Sequence, residues 1–364
     1  FFREKSGSAN NPDVREHFEN RGDINMVEAL RTGRPAKGIV DQSIHFLKQE
    51  RDTTHPFFMY LGFPCPHDPR WSLREFRDLY DPGKLPLTPS YLPVHPWDIG
   101  DMTIRDERLE AWPRSEKAVR RHLHDYYSVV SSMDFDIGRL SKALEELNLM
   151  NNTIILFTSD QGLAIGDHGL MGKQNVYEGT MKVPFFIRGP GIQKGKTDAL
   201  VYLHDIYPTF CDYAQTSIPE GFGKAPAVPG IPVQLDGISL KEIIEGKEKT
   251  VRKNLLLGYK DFQRSLRDER WKLIRYPQID KTMLFDLKND PFETENLAYQ
   301  KTHNVRVDKM LRKMKKACLE AGDSIELFPV EIKPAPFDYP DKKLPTPFPA
   351  GGLAPGDSSF NKKE

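Results

Sequence analysis

TIILFTSDQGLAIGDHGLMGKQNVYEGTMKVPFFIRG, residues 153–189, decides how this chain folds. Its opening, TIILFTS, is a short apolar run rich in β-branched residues, with a turn at Asn151-Asn152 before it and Asp160-Gln161-Gly162 after it. Such a run reads as a buried strand. VPFFIRG, 183–189, reads the same way. Just upstream, DYYSVVSSMDFDIGRLSKALEELNL puts Tyr126, Val129, Val130, Met133, Ile137, Leu140, Leu144 and Leu147 on one face at helical spacing. Earlier still, VDQSIHFLKQE spaces Val40, Ile44 and Leu47 in the same manner, and PFFMYLGF, 56–63, is a further apolar run closed by Pro64. Helices alternating with all-apolar strands predict an α/β fold, with a mainly parallel sheet sandwiched by helices.

The 52 basic and 52 acidic side chains among 364 residues cancel, so no global field draws in nucleic acid or an anionic membrane. No stretch approaches the roughly 20 apolar residues of a membrane span. Three scattered cysteines form neither a disulfide framework nor a zinc signature. The first residues, FFREKSGSANNPDV, are polar and hold no apolar signal core, so processing or a missing N-terminal portion is expected. Residues 68–115, rich in Pro, Trp and charge, predict a long loop of the kind that shapes substrate choice. After residue 245 the texture changes. GYKDFQRSLRDERWKLIRYP and KTMLFDLKNDPFETENL read as short antiparallel strands, followed by a basic helix with Val307, Met310, Leu311, Met314 and Leu319 on one face. The expected organisation is a main α/β domain at 1–245, a small α+β subdomain with an antiparallel sheet at 246–326, and an extended Pro-rich tail at 327–364.

In open α/β sheets ligands bind beyond the carboxyl ends of the strands. That rule selects PCPHDPR, after PFFMYLGF, and Asp160-Gln161-Gly162, after TIILFTS. A carboxylate, an amide and a glycine at a strand end suit an oxygen-ligand site for a hard cation such as Ca²⁺ or Mg²⁺. Gly162, Gly166, Gly169 and Gly172 let the following backbone turn tightly, and His168 and Lys173 add donors suited to an anion.

The segments SDQG, GDHGLMGK, YEGTMKVPF and the trailing GPG resemble the signature of type I sulfatases in the alkaline phosphatase superfamily. The likeness continues in register through DQSIHFL, PFFMYLGFPCPHDPR, YYSVVSSMDFDIGRL, HDIYPTF, LDGISL, RWKLIRY and LFDLKNDPFETENLA. It implies a sulfuric ester hydrolase acting on a small-molecule or oligosaccharide sulfate ester, by family frequency a sulfated carbohydrate, in a periplasmic, extracellular or lysosomal setting. It implies that Asp160 and Gln161 are ligands of one divalent cation, Ca²⁺ rather than Mg²⁺. Lys173 would hold a sulfate oxygen, and His67 would sit at the bridging ester oxygen, contacting the sulfate or protonating the leaving alcohol. His168 would bind substrate or support those that do. The chemistry agrees: a sulfate ester is a poor electrophile until its oxygens are neutralised, and the leaving alkoxide needs a proton.

The resemblance also implies a formylglycine made from a C/S-x-P-x-R motif, and an early pair of metal-binding aspartates. The sequence contains no such motif. In CPHDPR, His67 occupies the position that needs proline and Arg70 comes one residue late, so Cys65 is expected to be a half-buried bystander. The expectation is therefore the C-terminal two-thirds of a sulfatase, inactive alone, with its nucleophile upstream. Two other readings stay open: a phosphodiesterase or phosphonate monoester hydrolase of the same superfamily, and a non-catalytic protein that binds sulfated glycans. Nothing in the sequence bears on oligomeric state.

Overall fold

The computed structural model describes residues 32–218, 236–333, 336, 337, 339 and 351–353. Helix α1, Lys37–His45, continues through a wider turn at Phe46–Glu50, and β1 is Arg70–Ser72. Helix α2 is Glu116–Glu146, β2 is Ile155–Thr158, β3 is Phe185–Arg188 and α3 is Ile206–Ala214. Strands β4 (Leu255–Tyr259), β5 (Gln263–Arg267), β6 (Trp271–Tyr276) and β7 (Lys281–Asp286) precede α4, Asn304–Glu320, and β8, Gly351–Leu353. Helices and strands thus alternate along the chain before the C-terminal meander, the α/β order that the hydrophobic pattern predicts, although among the described strands only β1 and β8 pair in parallel. The tail at 340–350 and 354–364, and the whole of the N-terminal FFREKSGSANNPDV stretch, lie outside the described residues. None of the described helices is long and apolar enough to cross a membrane.

Backbone contacts divide the chain into two units. The first comprises Phe1–Thr153, Leu163–Lys173 and Pro336–Glu364; the second comprises Ile154–Gly162 and Gln174–Ala335.

In the first unit α2 dominates. Ser115 caps its N-terminus by accepting the Ala118 amide at 3.2 Å. At the other end Asn148 takes a left-handed φ of 57°, and the Leu149 amide reaches back to Leu144 at 2.8 Å. That is the usual way a helix satisfies its last carbonyls. Val129, Met133 and Leu144 are buried as the periodicity requires. Beside them runs a buried polar stripe of His122, Asp125, Ser128, Ser132 and Asp136, which hydrophobic periodicity does not disclose. Its charges are paired: Asp125 with Arg77 at 2.7 Å, and Asp136 with Arg34 and Arg139. Strand β1 pairs in parallel with β8, Arg70 opposite Gly351.

PFFMYLGF departs from expectation. Residues 56–63 form no strand, and their side chains alternate between partial and full exposure, Phe58 at 74% and Tyr60 at 84%. A strand exists only through its ladder, and no described strand pairs with this run. Composition reports a demand for burial; it does not report which neighbour meets it.

In the second unit β2 pairs antiparallel with β3, Leu156 opposite Ile187. Strands β4 to β7 form the predicted antiparallel meander in sequential order. Its apolar face, with Leu266, Trp271, Leu273 and Leu284, packs on Met310, Met314 and Cys318 of α4. Here Cys318 fills the core position expected of Leu319, which is 70% exposed. Two turns of 3.6 residues carry the buried face from 310 through 314 to 318, so 319 is rotated out. Lys272, in the middle of β6, is fully buried between Glu178 at 3.0 Å and Glu293 at 2.9 Å. Glu293 also accepts the Glu178 amide at 2.6 Å. The glutamate of YEGT is thus anchored to the sheet by a buried ion triad.

Lys272→Met leaves the buried Glu293 carboxylate without its cation, while Glu178 keeps only Arg267, and loss of one member of such a set costs about 3–5 kcal/mol. Denaturant unfolding should show that loss; a change within about 0.5 kcal/mol, the scale of an ordinary surface substitution, would refute the triad's role.

His95 gives a pH signature. It is buried in the first unit, its Nδ1 donates to the Trp97 carbonyl at 2.8 Å, and burial pushes its pKa from 6.5 down to about 4. Between those values the unfolded chain binds a proton that the folded chain refuses. Stability therefore falls as pH drops through this window, by at most about 1.4 kcal/mol per unit. Thermal unfolding from about pH 7 to about pH 4.5 should be flatter for His95→Gln than for the parent. Equal slopes would contradict the assignment. His122, also lowered by burial, is present in both chains and cancels in the comparison.

Candidate functional site

The loop after β2 is stitched together mostly by its own backbone. Ala164 N bonds Gly172 O at 3.0 Å and Gly166 N bonds Leu170 O at 2.7 Å. Its apolar members face inward: Ile165 and Met171 pack on Val119 of α2. The loop is also bonded to residues 88–95. Asp167 accepts the hydroxyls of Thr88 and Ser90, and the His168 amide donates to Ser90 O at 2.7 Å. Gly169 has a φ of 76°, and a Cβ there would lie 2.2 Å from the His95 nitrogen. Only glycine fits that close a backbone crossing. His168 itself is buried, with a left-handed φ of 53°.

Lys173 ends this loop, and its ammonium lies 4.0 Å from Asp106 Oδ2. Asp106 Oδ1 accepts from Arg105 Nε at 2.8 Å. Arg105 in turn places Nη2 at 3.2 Å from His67 Nε2 and Nη1 at 3.1 Å from Asp68 Oδ2. His67 and Lys173, about a hundred residues apart, are therefore linked through Arg105 and Asp106. The tautomer of His67 follows from its partners. Nδ1 lies 2.7 Å from the Asp68 carbonyl, which can only accept, so Nδ1 carries a proton. Arg105 can only donate, so Nε2 presents its lone pair to it.

Behind this network lies Arg70. It is fully buried, its three guanidinium nitrogens have no hydrogen-bond partner among the described residues, and its guanidinium carbon lies 5.7 Å from the Tyr126 ring centroid. The nearby charges acting on it include Asp68 and Asp106. Asp125 acts on Arg70 as well and is paired with Arg77, so four cations, Arg70, Arg77, Arg105 and Lys173, stand against three carboxylates, Asp68, Asp106 and Asp125, in a half-buried setting. A local excess of positive charge of that kind favours an anion.

Cys65 is a free, buried cysteine whose thiol burial pushes up to about 12. It is a neutral packing group at neutral pH, since the thiolate is the reactive form.

Asp160 and Gln161 belong to the second unit. Asp160 stands exposed just beyond β2, and its Oδ1 accepts the Gln161 amide at 2.9 Å. The next residue is locked: Gly162 N bonds Thr180 O at 2.8 Å, and a Cβ on Gly162 would meet Gly179 O at 2.1 Å. A carboxylate and an amide carbonyl are donors of the hard-cation type. Ca²⁺ takes six to eight oxygens, however, and among the described residues no group of three or more His, Cys, Asp or Glu could hold a metal. These two residues fit a cation's chemistry without completing its shell.

Sequence reading singled out the loop 68–115 but none of Arg105, Asp106 or Glu107 within it. They sit in a charged run, TIRDERLE, whose pattern is that of any solvated turn. Burial of Asp106 and Glu107, at 4% and 2% exposure, is what separates them from surface charge.

The sulfatase family model matches residues 4–216, and the model for the C-terminal part of N-sulphoglucosamine sulphohydrolase matches residues 166–320. An arylsulfatase from Clostridium perfringens is 32% identical over 296 residues, covering 77% of this chain and 56% of that protein. A choline-sulfatase from Rhizobium meliloti is 31% identical over 270 residues, 71% of this chain and 50% of that one. The chain thus spans about half the length of the curated relatives it matches. Among solved structures, a protein in complex with its substrate D-glucosamine-2-N,6-O-disulfate superposes with a TM-score of 0.64 at 23% identity, over 79% of this chain and 70% of its own. The phosphonate monoester hydrolase of Agrobacterium radiobacter gives 0.67 at 20% identity, over 89% and 73%. These two likenesses concern the fold alone. With more than half of its residues matched to the family model, and with SDQG and GDHGLMGK inside that match, the chain belongs to the sulfatase family.

Proposed function

We propose that the complete protein hydrolyses a sulfate monoester of a carbohydrate, with His67 and Lys173 as its contacts to the ester. The observation that carries this reading is the half-buried network joining those two residues amid an excess of positive charge. Relatives named for sulfate esters, and a neighbour solved with a disulfated glucosamine, support the substrate class.

Lys173 would neutralise a sulfate oxygen through its ammonium, in a setting where water competes less than in bulk. The leaving alcohol departs as the S–O bond to it breaks, and the oxygen takes a proton. His67 supplies that proton from Nε2 only as the imidazolium, because in the neutral tautomer Nε2 holds a lone pair. Its Nδ1–H bond to the Asp68 carbonyl keeps the ring oriented in both states. Asp160 and Gln161 would hold a Ca²⁺ ion in part, and the chemistry such an ion supplies is Lewis-acid withdrawal of charge from an ester's oxygens. No nucleophile is assigned within this chain, since no C/S-x-P-x-R motif is present from which formylglycine could arise.

A second reading is phosphonate monoester hydrolysis, favoured by the likeness over 89% of the chain to a hydrolase of that class. Its ester carries the same kind of oxygens, and Lys173 and His67 would serve alike.

Nitrophenyl sulfate and phenyl phosphonate esters offered to the complete protein separate the two. Under the proposal the sulfate is the better substrate, and Lys173→Ala lowers kcat/KM by about 100-fold or more. His67→Ala lowers it by roughly 100- to 10,000-fold, with the larger loss for the poorer leaving alcohol. A faster phosphonate reaction selects the second reading; loss of neither residue mattering rejects the site.

A further inference from the structure

Arg105, Asp106 and Glu107 are consecutive, and each reaches a different part of the same site. Arg105 Nη2 lies 3.2 Å from His67 Nε2. Asp106 binds Arg105 Nε at 2.8 Å with one oxygen and stands 4.0 Å from the Lys173 ammonium with the other. Glu107 opens a short helical turn, Glu107–Leu109, and its buried carboxylate accepts the amides of Met171 at 3.0 Å and Gly172 at 2.8 Å. Those are the two residues immediately before Lys173. The same carboxylate binds Arg114 Nη2 at 2.6 Å, and Arg114 is itself fully buried over the Trp112 ring.

We infer that Arg105-Asp106-Glu107 is a positioning segment that sets the separation of His67 and Lys173. The physical reason is covalent. Consecutive Cα atoms are held about 3.8 Å apart, so three neighbours anchored to His67, to the Lys173 side chain and to the Lys173 backbone cannot drift independently. Glu107 is the fixed end. It is only 2% exposed, and two buried N–H groups plus a guanidinium depend on it. Asp106 and Arg105 then extend from that anchor towards Lys173 and His67. The segment acts through those two residues and touches no reacting atom itself. The inference rests on the reading of His67 and Lys173 as ester contacts, but its structural half does not.

Two measurements on the complete protein decide it. The first needs no activity: acylation of Lys173 by an amine-reactive reagent, followed by mass spectrometry, with Lys182 and Lys194 as internal references. Glu107→Ala, which leaves both amides without an acceptor, should raise Lys173 labelling several-fold with the references unchanged. Glu107→Gln, which keeps an acceptor oxygen, should restore most of the parent rate. Should Glu107→Ala not fold, Asp106→Asn takes its place, with a smaller rise expected. Unchanged labelling overturns the inference. The second is a pair of double-mutant cycles in kcat/KM. Asp106→Asn should cost about tenfold, a modest share of what misplacement of a reacting group can cost, and should cost nothing further in a Lys173→Met background. Arg105→Gln should likewise lose its effect in a His67→Ala background. Additive losses would mean a general structural role and would overturn the inference. A parent protein that releases no sulfate but passes the labelling test rejects the proposed function and keeps the positioning segment.

Discussion

The carboxylate of Glu107 is the constraint on which the anion site depends. A loop of eleven residues, 163–173, is held by its own backbone bonds up to Gly172 O, but its last two amides before Lys173 donate to a side chain, the Glu107 carboxylate. Glu107 takes both and is held in place by Arg114. Burial raises the Glu107 carboxyl, while Arg114 and the two amides oppose that rise. A buried carboxylate persists only when its lone pairs are filled in this way. Once it is there, the loop end can adopt few other conformations.

Buried charge is used throughout, and in each unit it does the same job. In the second unit Lys272 ties Glu178, and with it the turn that follows Lys173, to the middle of an antiparallel sheet. In the first unit Asp125 and Asp136 on α2 hold Arg77 and Arg34. Such groups contribute little net stability compared with apolar residues of the same size, but breaking one pair leaves an uncompensated charge. They therefore select one arrangement over its neighbours. This explains why a chain with many charged residues buries a good number of them beside an ordinary apolar core.

Much of the architecture was legible from period alone. Helix α1, helix α2 and the four-stranded meander lie where 3.6- and 2-residue spacing put them. Several readings fell short, each for a reason of context, the buried strands expected at TIILFTS and VPFFIRG among them: β2 is half-buried along its length and β3 alternates between half-buried and exposed. PFFMYLGF has the composition of a strand but no described partner. Leu319 matched the helical face by type, yet the rotation of α4 brought Cys318 in its stead. The polar stripe of α2 is invisible to hydrophobic pattern, because its burial is made possible by arginines far away in the sequence. The candidate site divides likewise. His67, Asp160, Gln161, His168 and Lys173 were visible because they follow apolar runs and stand among glycines in an ordered motif. Arg105, Asp106 and Glu107 were not, since a charged turn on the surface and a charged strut in the interior have the same local composition.

By itself the sequence determined the family, the alternation of helices and strands, and the residue types available to bind an anion. Local spacing and ordered motifs suffice for these, because they depend on covalent neighbours and backbone period. Only the tertiary structure decided that Cys65 is a sealed thiol, that Gly169 crosses the His95 backbone too closely for any side chain, and that His67 and Lys173 share a network through Arg105 and Asp106. Those outcomes turn on desolvation, steric approach and charge pairing between residues distant in sequence. Such terms take a value only once the chain has closed on itself.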